Sequence, residues 1–252
     1  MTVSIRQPDR YELKYVLDQR QFQQMFDALD EYMIRDNQGD DYGRYSITSL
    51  YYDTIDYKAY WDKIEGHRFR RKVRVRVYGD QTVDSETRVF AEIKQRLNKT
   101  LQKKRVLLPY QAAVALCSQG QVPEVELSEA ERAVVDEIRY LYYTLQLRPA
   151  CIVSYHRLAF EGNAYDPGLR VTFDSNLTGR THDLTLRSQG HGENRFFVSP
   201  DLYIMEVKVN YRVPYWLTEM INQTGCSLRR VSKYCAALEQ CKILLQGQKF
   251  TL

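Results

Sequence analysis

The sequence predicts an α+β fold, an eight-stranded antiparallel closed β-barrel with helices packed outside, formed by residues 1–252 as one domain. Three observations lead to it. Alternation of apolar and polar residues with a period of two recurs in segment after segment, which sorts side chains onto the two faces of a strand. Between those segments lie stretches whose apolar residues follow helical spacing and form stripes suited to covering the apolar strand faces. The length of 252 residues, 44% of them hydrophobic, shows no internal repeat and no linker-like shift in composition, and is ample for one barrel with its helices.

Arg10–Leu17 reads as the first strand, with Glu12 and Lys14 on one face and Leu13, Tyr15 and Leu17 on the other. Asp18 is placed to cap a helix over Gln19–Tyr32, whose Phe22, Met25, Phe26 and Leu29 keep helical spacing. A turn at Asn37–Gly43 leads to a strand over Ser46–Asp53 and a short helix over Ile55–Glu65. Arg68–Tyr78 carries the strongest pattern: positions 68, 70, 72, 74 and 76 are Arg, Arg, Lys, Arg and Arg, against Phe69, Val73, Val75 and Val77. Only Arg71 breaks it. Arg88–Arg96 sets Phe90, Glu92, Lys94 and Arg96 against Val89, Ala91 and Ile93, and Thr100–Leu108 is its expected antiparallel partner, with Gln102 and Lys104 alternating against Lys103 and Arg105. Helices follow at Tyr110–Cys117 and Glu129–Leu145, then strands at Cys151–Phe160 and Leu169–Asn176, a surface loop at Ser188–Asn194, a last strand at Tyr203–Val209, and helices at Pro214–Gln223 and Lys233–Leu245.

Composition excludes disorder, collagen and low-complexity repeats. No apolar run reaches the roughly 18 residues of a membrane span, and Met1–Arg20 mixes Arg6, Asp9, Glu12 and Lys14 without an apolar stretch, so neither a span nor a signal peptide is expected. The expected setting is the cytoplasm. Five cysteines, odd in number and never spaced C-x-x-C, argue against a disulfide framework or a structural zinc site.

The chain carries 36 Lys and Arg against 32 Asp and Glu, a net charge of +4. Distribution matters more than the sum. A single cationic strand face is ordinarily a solvated surface, but Lys14, Arg74, Arg76, Lys94, Lys104, Arg157, Arg170 and Lys208 sit mid-strand on at least six strands. With helices on the apolar faces, those cations converge on one interior. Two unit charges about 4 Å apart repel by roughly 4 kcal/mol at an effective dielectric near about 20, so such an interior needs water or a polyanion. The inward carboxylates Glu12, Glu92 and Glu206, with Asp174 a further candidate, are too few to neutralise the set. They are the right type to hold one or two hard divalent cations, which bridge carboxylates to phosphates. A chain of phosphates with a metal ion is the expected ligand. Single-stranded nucleic acid, the other polyanion, needs aromatic platforms beside the cations; the aromatics here lie mostly at core parity or on helices, so no nucleic acid is expected.

Arg10-x-Glu12-x-Lys14, Ser49-Leu50-Tyr51-Tyr52-Asp53, Arg70-x-Lys72-x-Arg74-x-Arg76, Glu92-Ile93-Lys94, Lys103-Lys104-Arg105, Arg157, Leu169-Arg170-Val171, Glu206-Val207-Lys208 and Ser232-Lys233-Tyr234 occur in that order. Together they resemble the VTC domain, the polyphosphate polymerase branch of the CYTH or triphosphate tunnel metalloenzyme superfamily. The resemblance implies an eight-stranded tunnel that binds ATP and a growing inorganic polyphosphate, with Mn²⁺ or Mg²⁺ as cofactor. It carries the basic lumen positions to Lys14, Arg74, Arg76, Lys94, Lys104, Arg157, Arg170 and Lys208, the set that strand parity gives independently. It makes Glu206 the metal-binding glutamate, and Ser232 and Lys233 a phosphate-contacting pair at the tunnel mouth. On this reading Arg74, Arg76, Glu206 and Lys233 are catalytic, and Glu12 and Glu92 are further metal candidates. Arg10 stands where the hydrolytic tunnel enzymes carry the first glutamate of E-x-E-x-K, which fits a polymerase better than a two-metal triphosphatase. The SPX module that precedes the domain in eukaryotic forms is expected to be absent, with no membrane segment in the chain itself, although a membrane partner remains compatible. Oligomeric state and nucleotide preference do not follow.

Other signals are weaker. Cys151 and Arg157 have the spacing of a cysteine phosphatase loop, but the interval Ile-Val-Ser-Tyr-His is a strand, not a Gly-rich loop. His67, His156, His182 and His191 show no metal-ligand spacing. Three functions remain: a polyphosphate polymerase, a metal-dependent tripolyphosphatase or nucleoside triphosphatase, and a non-catalytic polyphosphate-binding module.

Overall fold

A computed structural model describes residues 11–37, 39–40, 42–98, 100–187 and 194–241. Arg10, all but the last residue of the expected loop Ser188–Asn194, and the end of the helix expected at Lys233–Leu245 lie outside the described residues. Eight long strands are present: β1 (Tyr11–Leu17), β3 (Arg44–Asp53), β4 (Phe69–Tyr78), β5 (Arg88–Leu97), β6 (Thr100–Pro109), β7 (Arg148–Gly162), β8 (Arg170–Arg180) and β10 (Tyr203–Val209). Three short ones were not expected, β2 (Met33–Arg35), β9 (Arg195–Phe196) and β11 (Ser227–Leu228); two or three residues are too few to show alternation. The helices are α1 (Gln19–Tyr32), α2 (Lys58–Ile64), α3 (Tyr110–Gln119), α4 (Glu129–Leu145), α5 (Tyr215–Gln223) and α6 (Lys233–Gln240). Asp18 and Ser128 close capping boxes at the starts of α1 and α4, which fixes where both helices begin. None of the described helices is long and apolar enough to cross a membrane.

The strands form one antiparallel sheet in the order β11-β1-β10-β8-β7-β3-β4-β5-β6, with β2 on β7 and β9 on β8. The expected closed barrel is corrected here. Among the described residues β6 does not hydrogen-bond to β1; the free edge of β1 is taken by β11, where Tyr15 faces Leu228 and the Arg229 amide donates to the Lys14 carbonyl. The sheet nevertheless curls far enough for a side chain to span the gap, because Lys94 Nζ of β5 lies 3.4 Å from Glu12 Oε2 of β1.

Strand parity decides what each face does. Val73, Val75, Val89, Ala91, Ile93 and Leu108 pack with α3 and α4 through Leu116, Val135, Ile138 and Leu141. Leu17, Phe160, Val171, Phe173, Met205 and Val207 pack with α1 and α5 through Met25, Leu29 and Leu217. Each of these buried Val, Leu, Ile, Phe and Met side chains contributes about 1.5–3 kcal/mol relative to an exposed one, so the apolar faces hold the helices and the polar faces turn inward. Helices do not lie only outside, however. α6 sits on the inner face, where Tyr234, Cys235 and Leu238 meet Ile47, Tyr51, Cys151, Val153 and Ile204. At that end the inner positions are themselves apolar, so they bury a helix. Tyr234 OH donates to Asp53 Oδ2 at 2.5 Å, and Asp53 accepts from the Ala59 and Tyr60 amides of α2, tying both helices to the end of β3.

Candidate functional site

The inner face has two contrasting walls. On β1, β7, β8 and β10 the carboxylates are central. Glu206 of β10, 4% exposed, accepts from Lys14 Nζ at 2.6 Å and Lys233 Nζ at 2.7 Å on one oxygen, and lies 3.2 Å from Lys208 Nζ and 3.5 Å from Arg157 Nη2 on the other. Asp174 of β8 takes Arg157 in a bidentate pair at 2.6 and 2.8 Å and Lys233 at 2.5 Å. Glu12 of β1 pairs with Lys14 at 3.0 Å and with Lys94. The register explains the convergence: Lys14 faces Glu206 across β1 and β10, Glu12 faces Lys208, and Arg157 faces Asp174 across β7 and β8. Burial alone would raise the Glu206 carboxyl pKa; Lys14, Lys233, Lys208 and Arg157 overcome it and hold it well below the ordinary range. Asp174 is lowered in the same way by Arg157 and Lys233.

The wall of β4, β5 and β6 is cationic. Arg74 donates from Nε and Nη2 to Glu92 Oε2 at 2.7 and 2.5 Å, and from Nη1 to the Tyr51 hydroxyl at 3.0 Å. Arg76 has only neutral hydrogen-bond partners among the described residues, Ser49 Oγ at 2.9 Å and the Tyr155 hydroxyl at 3.2 Å, yet is 6% exposed. The Tyr155 ring also carries Arg157 at 5.3 Å and Lys233 Nζ at 4.8 Å from its centroid. Tyr155 stands where the β7–β8 register slips, a single residue against Asn176 and Leu177, with Asn176 in the left-handed region at φ 50°. That bulge re-aims the strand beside the cations. Lys72 Nζ donates to Ser232 Oγ at 3.2 Å and lies over the Tyr234 ring, joining this wall to the start of α6. Glu92 is fully buried, with Oε1 lacking a hydrogen-bond donor among the described residues and Lys103 Nζ 3.9 Å away. Burial pushes its carboxyl up, but Arg74, Arg76 and Lys103 bring it down to about 2.

Of the residues expected to line the interior, Lys14, Arg74, Arg76, Arg157, Lys208, Glu206 and Lys233 are brought together in these linked networks. Lys94 reaches them through Glu12. Ser232 caps α6, accepting from the Cys235 amide, beside Lys72. Arg170 shares the inner parity but lies toward one end, held by Asp36, by Glu161 at 2.5 Å and by the Tyr45 hydroxyl. The inward placement of Lys104 is corrected. In the register Glu92 faces Arg105 and Lys94 faces Lys103, whereas Lys104 faces the outward Ile93 and bonds Glu137 of α4 at 2.6 Å. Lys103, not Lys104, is the inner lysine. Cys151 is fully buried, and desolvation raises its thiol pKa strongly, which removes the phosphatase-like reading. Lys72, Lys103 and Tyr51 stand in the sequence motifs without an assigned site role, and Tyr155 was not singled out. Parity with Arg74 marked Lys72, but the hydroxyls and the choice between neighbouring lysines depend on register.

The three glutamates do not form one metal site: among the described residues no group of three or more His, Cys, Asp or Glu is arranged to hold a metal ion. Glu92 is committed to Arg74 on the other wall. Glu12 and Glu206 do fit a hard cation. Both carboxylates reach the same Lys14 ammonium, at 3.0 and 2.6 Å, and two carboxylates completed by phosphate oxygens and water are a usual setting for Mg²⁺.

A family model, the VTC domain, matches residues 9–242. The chain belongs to the VTC domain family. This VTC domain is also similar in fold to two solved structures, each at 15% identity: a candidate adenylyl cyclase of Hippeastrum, HpAC1, described as having a dominant triphosphatase activity (TM-score 0.52, covering 92% of this chain and 95% of that one), and a candidate adenylate cyclase of Bacillus halodurans (TM-score 0.50, 89% and 95%). At that identity the likeness bears on the fold alone. No curated protein sequence matches the VTC chain.

Proposed function

We propose that this VTC domain is an ATP-dependent polyphosphate polymerase, acting in the cytoplasm, that transfers the γ-phosphate of ATP to a growing inorganic polyphosphate. The observation that carries the reading is Arg76, a buried guanidinium without a carboxylate partner among the described residues, beside Arg74 on a wall where cations outnumber carboxylates. Phosphoryl transfer asks the protein mainly for charge stabilisation and alignment. A terminal oxygen of the polyphosphate attacks the γ-phosphorus as the bond to the β–γ bridging oxygen breaks, and ADP departs with that oxygen. The attacking phosphate is already ionised, so no strong base is required. Arg74 and Arg76 hold equatorial oxygens at the edges now occupied by the Tyr51 and Tyr155 hydroxyls. Planar guanidinium groups fix geometry, while Lys14, Lys94, Lys208 and Lys233 supply mobile charge along the chain. Mn²⁺ or Mg²⁺ held by Glu206 and Glu12 would neutralise charge on the phosphate oxygens.

A tripolyphosphatase is the second reading, favoured by the triphosphatase description of the Hippeastrum neighbour. Purified protein incubated with ATP and Mn²⁺, with products resolved on a gel, separates them: long anionic chains are expected, and orthophosphate alone overturns the polymerase. Glu206→Ala and Arg74→Ala should abolish synthesis; undiminished synthesis in both removes the site assignment.

A further inference from the structure

A second group of cations lies beyond this site. On the inner face Arg70 of β4 stands directly opposite Arg96 of β5, and Lys72 opposite Lys94, whose row continues to Lys103 on β6. Like charges directly opposite one another destabilise a sheet, so this ladder is built against the folding free energy. Lys63 of α2 joins it. Burial lowers its ammonium pKa, and Arg70, Lys72 and Arg96 lower it further; Arg70 is lowered by burial and by Arg96 against the pull of Asp62. Lys63, Arg70 and Arg96 are half-buried, and the carboxylates of that corner, Asp62 and Glu65, pair instead with Lys58 and His67. Arg96 donates from Nε to the Asn98 carbonyl.

We propose that Lys63, Arg70 and Arg96 form a track for linear polyphosphate that continues from the enclosed site along the β4–β5 ribbon. This rests on the proposed function only in taking a chain of phosphates as ligand. Same-face residues on a strand recur every two positions, roughly 6.6 Å, so Arg70 lies about 13 Å along β4 from Arg74. A triphosphate seated at Arg74 and Arg76 ends short of Arg70, whereas a longer chain runs onto the track. Lys72 is the one inner-face residue of β4 between Arg70 and Arg74, and the Tyr234 ring beside it is 2% exposed, so the ladder presents no open stacking platform there of the kind a single-strand nucleic-acid binder uses.

The test is calorimetric titration of the full chain and of Arg70→Gln/Arg96→Gln, without ATP, with tripolyphosphate and with long-chain polyphosphate. The dissociation constant for the long chain should rise at least about tenfold on losing two charge-assisted contacts. Its dependence on the logarithm of salt concentration should flatten by about 1.4, at roughly 0.7 per phosphate contact. Tripolyphosphate should bind unchanged, which also shows that the variant is folded. Arg70→Lys/Arg96→Lys should retain most of the long-chain affinity. Equal losses for both ligands, no loss for either, or an oligodeoxynucleotide bound as tightly as polyphosphate through the same two arginines overturns the track. Because no turnover is involved, a chain that makes no polyphosphate from ATP but still prefers long chains through Arg70 and Arg96 refutes the polymerase and keeps the track.

Discussion

The two inner walls hold their cations by different means. On β1, β7, β8 and β10, Lys14, Arg157, Lys208 and Lys233 are organised by Glu12, Glu206 and Asp174, so most of the charge is balanced within the protein. On β4, β5 and β6 a single carboxylate, Glu92, serves Arg74 with Lys103 nearby, and Arg76 and Lys72 rest on hydroxyls, a thiol and an aromatic ring. An anion approaching the first wall must compete with carboxylates. One approaching the second replaces neutral partners. The balanced wall therefore suits a metal and the positioning of charge, and the unbalanced wall suits phosphate.

The largest effect expected from breaking this contrast is at Glu206. Glu206→Gln leaves four buried or half-buried cations without their shared counter-charge, which should cost about 3–5 kcal/mol of stability in chemical denaturation. Excess tripolyphosphate should return part of that loss, since a ligand bound only by the folded state stabilises it. A variant as stable as the parent would show that the wall is not balanced through this residue. Next come the two arginines of the opposite wall. Arg74→Gln leaves Glu92 buried and unpaired and should lower stability, whereas Arg76→Gln breaks only neutral contacts and should leave the denaturation midpoint nearly unchanged. Both should weaken tripolyphosphate binding, at about 1.5–3 kcal/mol per charge-assisted bond lost. Equal stability losses in the two variants would erase the distinction between the walls.

Much of this contrast was legible before the structure. Period-two alternation placed the eight long strands, and α1, α4 and β10 have the bounds that capping residues and periodicity predict. Glu206, Arg74 and Arg76 lie mid-strand at unambiguous parity. Legibility failed where a face is set by something other than alternation. Thr100–Leu108 runs Gln, Lys, Lys, Arg through its centre, and nothing in that run says which lysine turns in; the pairing with Glu92 and Ile93 decides. The inner position of α6 was hidden as well, because its apolar stripe is the same whether it covers the convex or the concave face. Closure of the sheet depends on a contest for the edge of β1, won by the two residues of β11.

Titration gives a third, smaller test, with opposite signs for the empty and the loaded protein. Burial, reinforced by Arg157 against the pull of Glu206, brings Lys208 down to about 8, and burial with Arg105 and Arg74 does the same for Lys103 against Glu92. Burial would raise the Tyr51 phenol, but Arg74 and Arg76 overcome it and lower it to about 8. In the unfolded chain these groups titrate near about 10. Between about pH 8 and about 10 these three groups thus hold fewer protons in the folded protein than in the unfolded one and contribute stability that rises with pH, while the buried Cys117 and Cys151 thiols, pushed up by desolvation, contribute in the opposite sense. Polyanion affinity falls over the same window, as Lys208 and Lys103 lose charge and Tyr51 gains one. The tripolyphosphate dissociation constant should rise across that range, and the ligand-free denaturation midpoint should rise relative to that of Lys208→Gln/Lys103→Gln/Tyr51→Phe; a constant that falls, or no relative rise, would mean that these three groups do not govern the site.

The smallest effect separates neighbours on one strand. Lys104 lies on the outer face, half-exposed and paired with Glu137 of α4. Lys104→Gln should change stability by no more than about 1 kcal/mol, the range of an exposed ion pair, and leave tripolyphosphate binding as it was. Lys103→Gln removes an inner cation near Glu92 and should weaken binding severalfold at neutral pH, with the difference from the parent shrinking as pH passes about 8, where the parent lysine itself loses its charge. If Lys104→Gln were the variant that weakened binding, β6 would be shifted by one residue relative to β5, and every cation on that strand would change face with it.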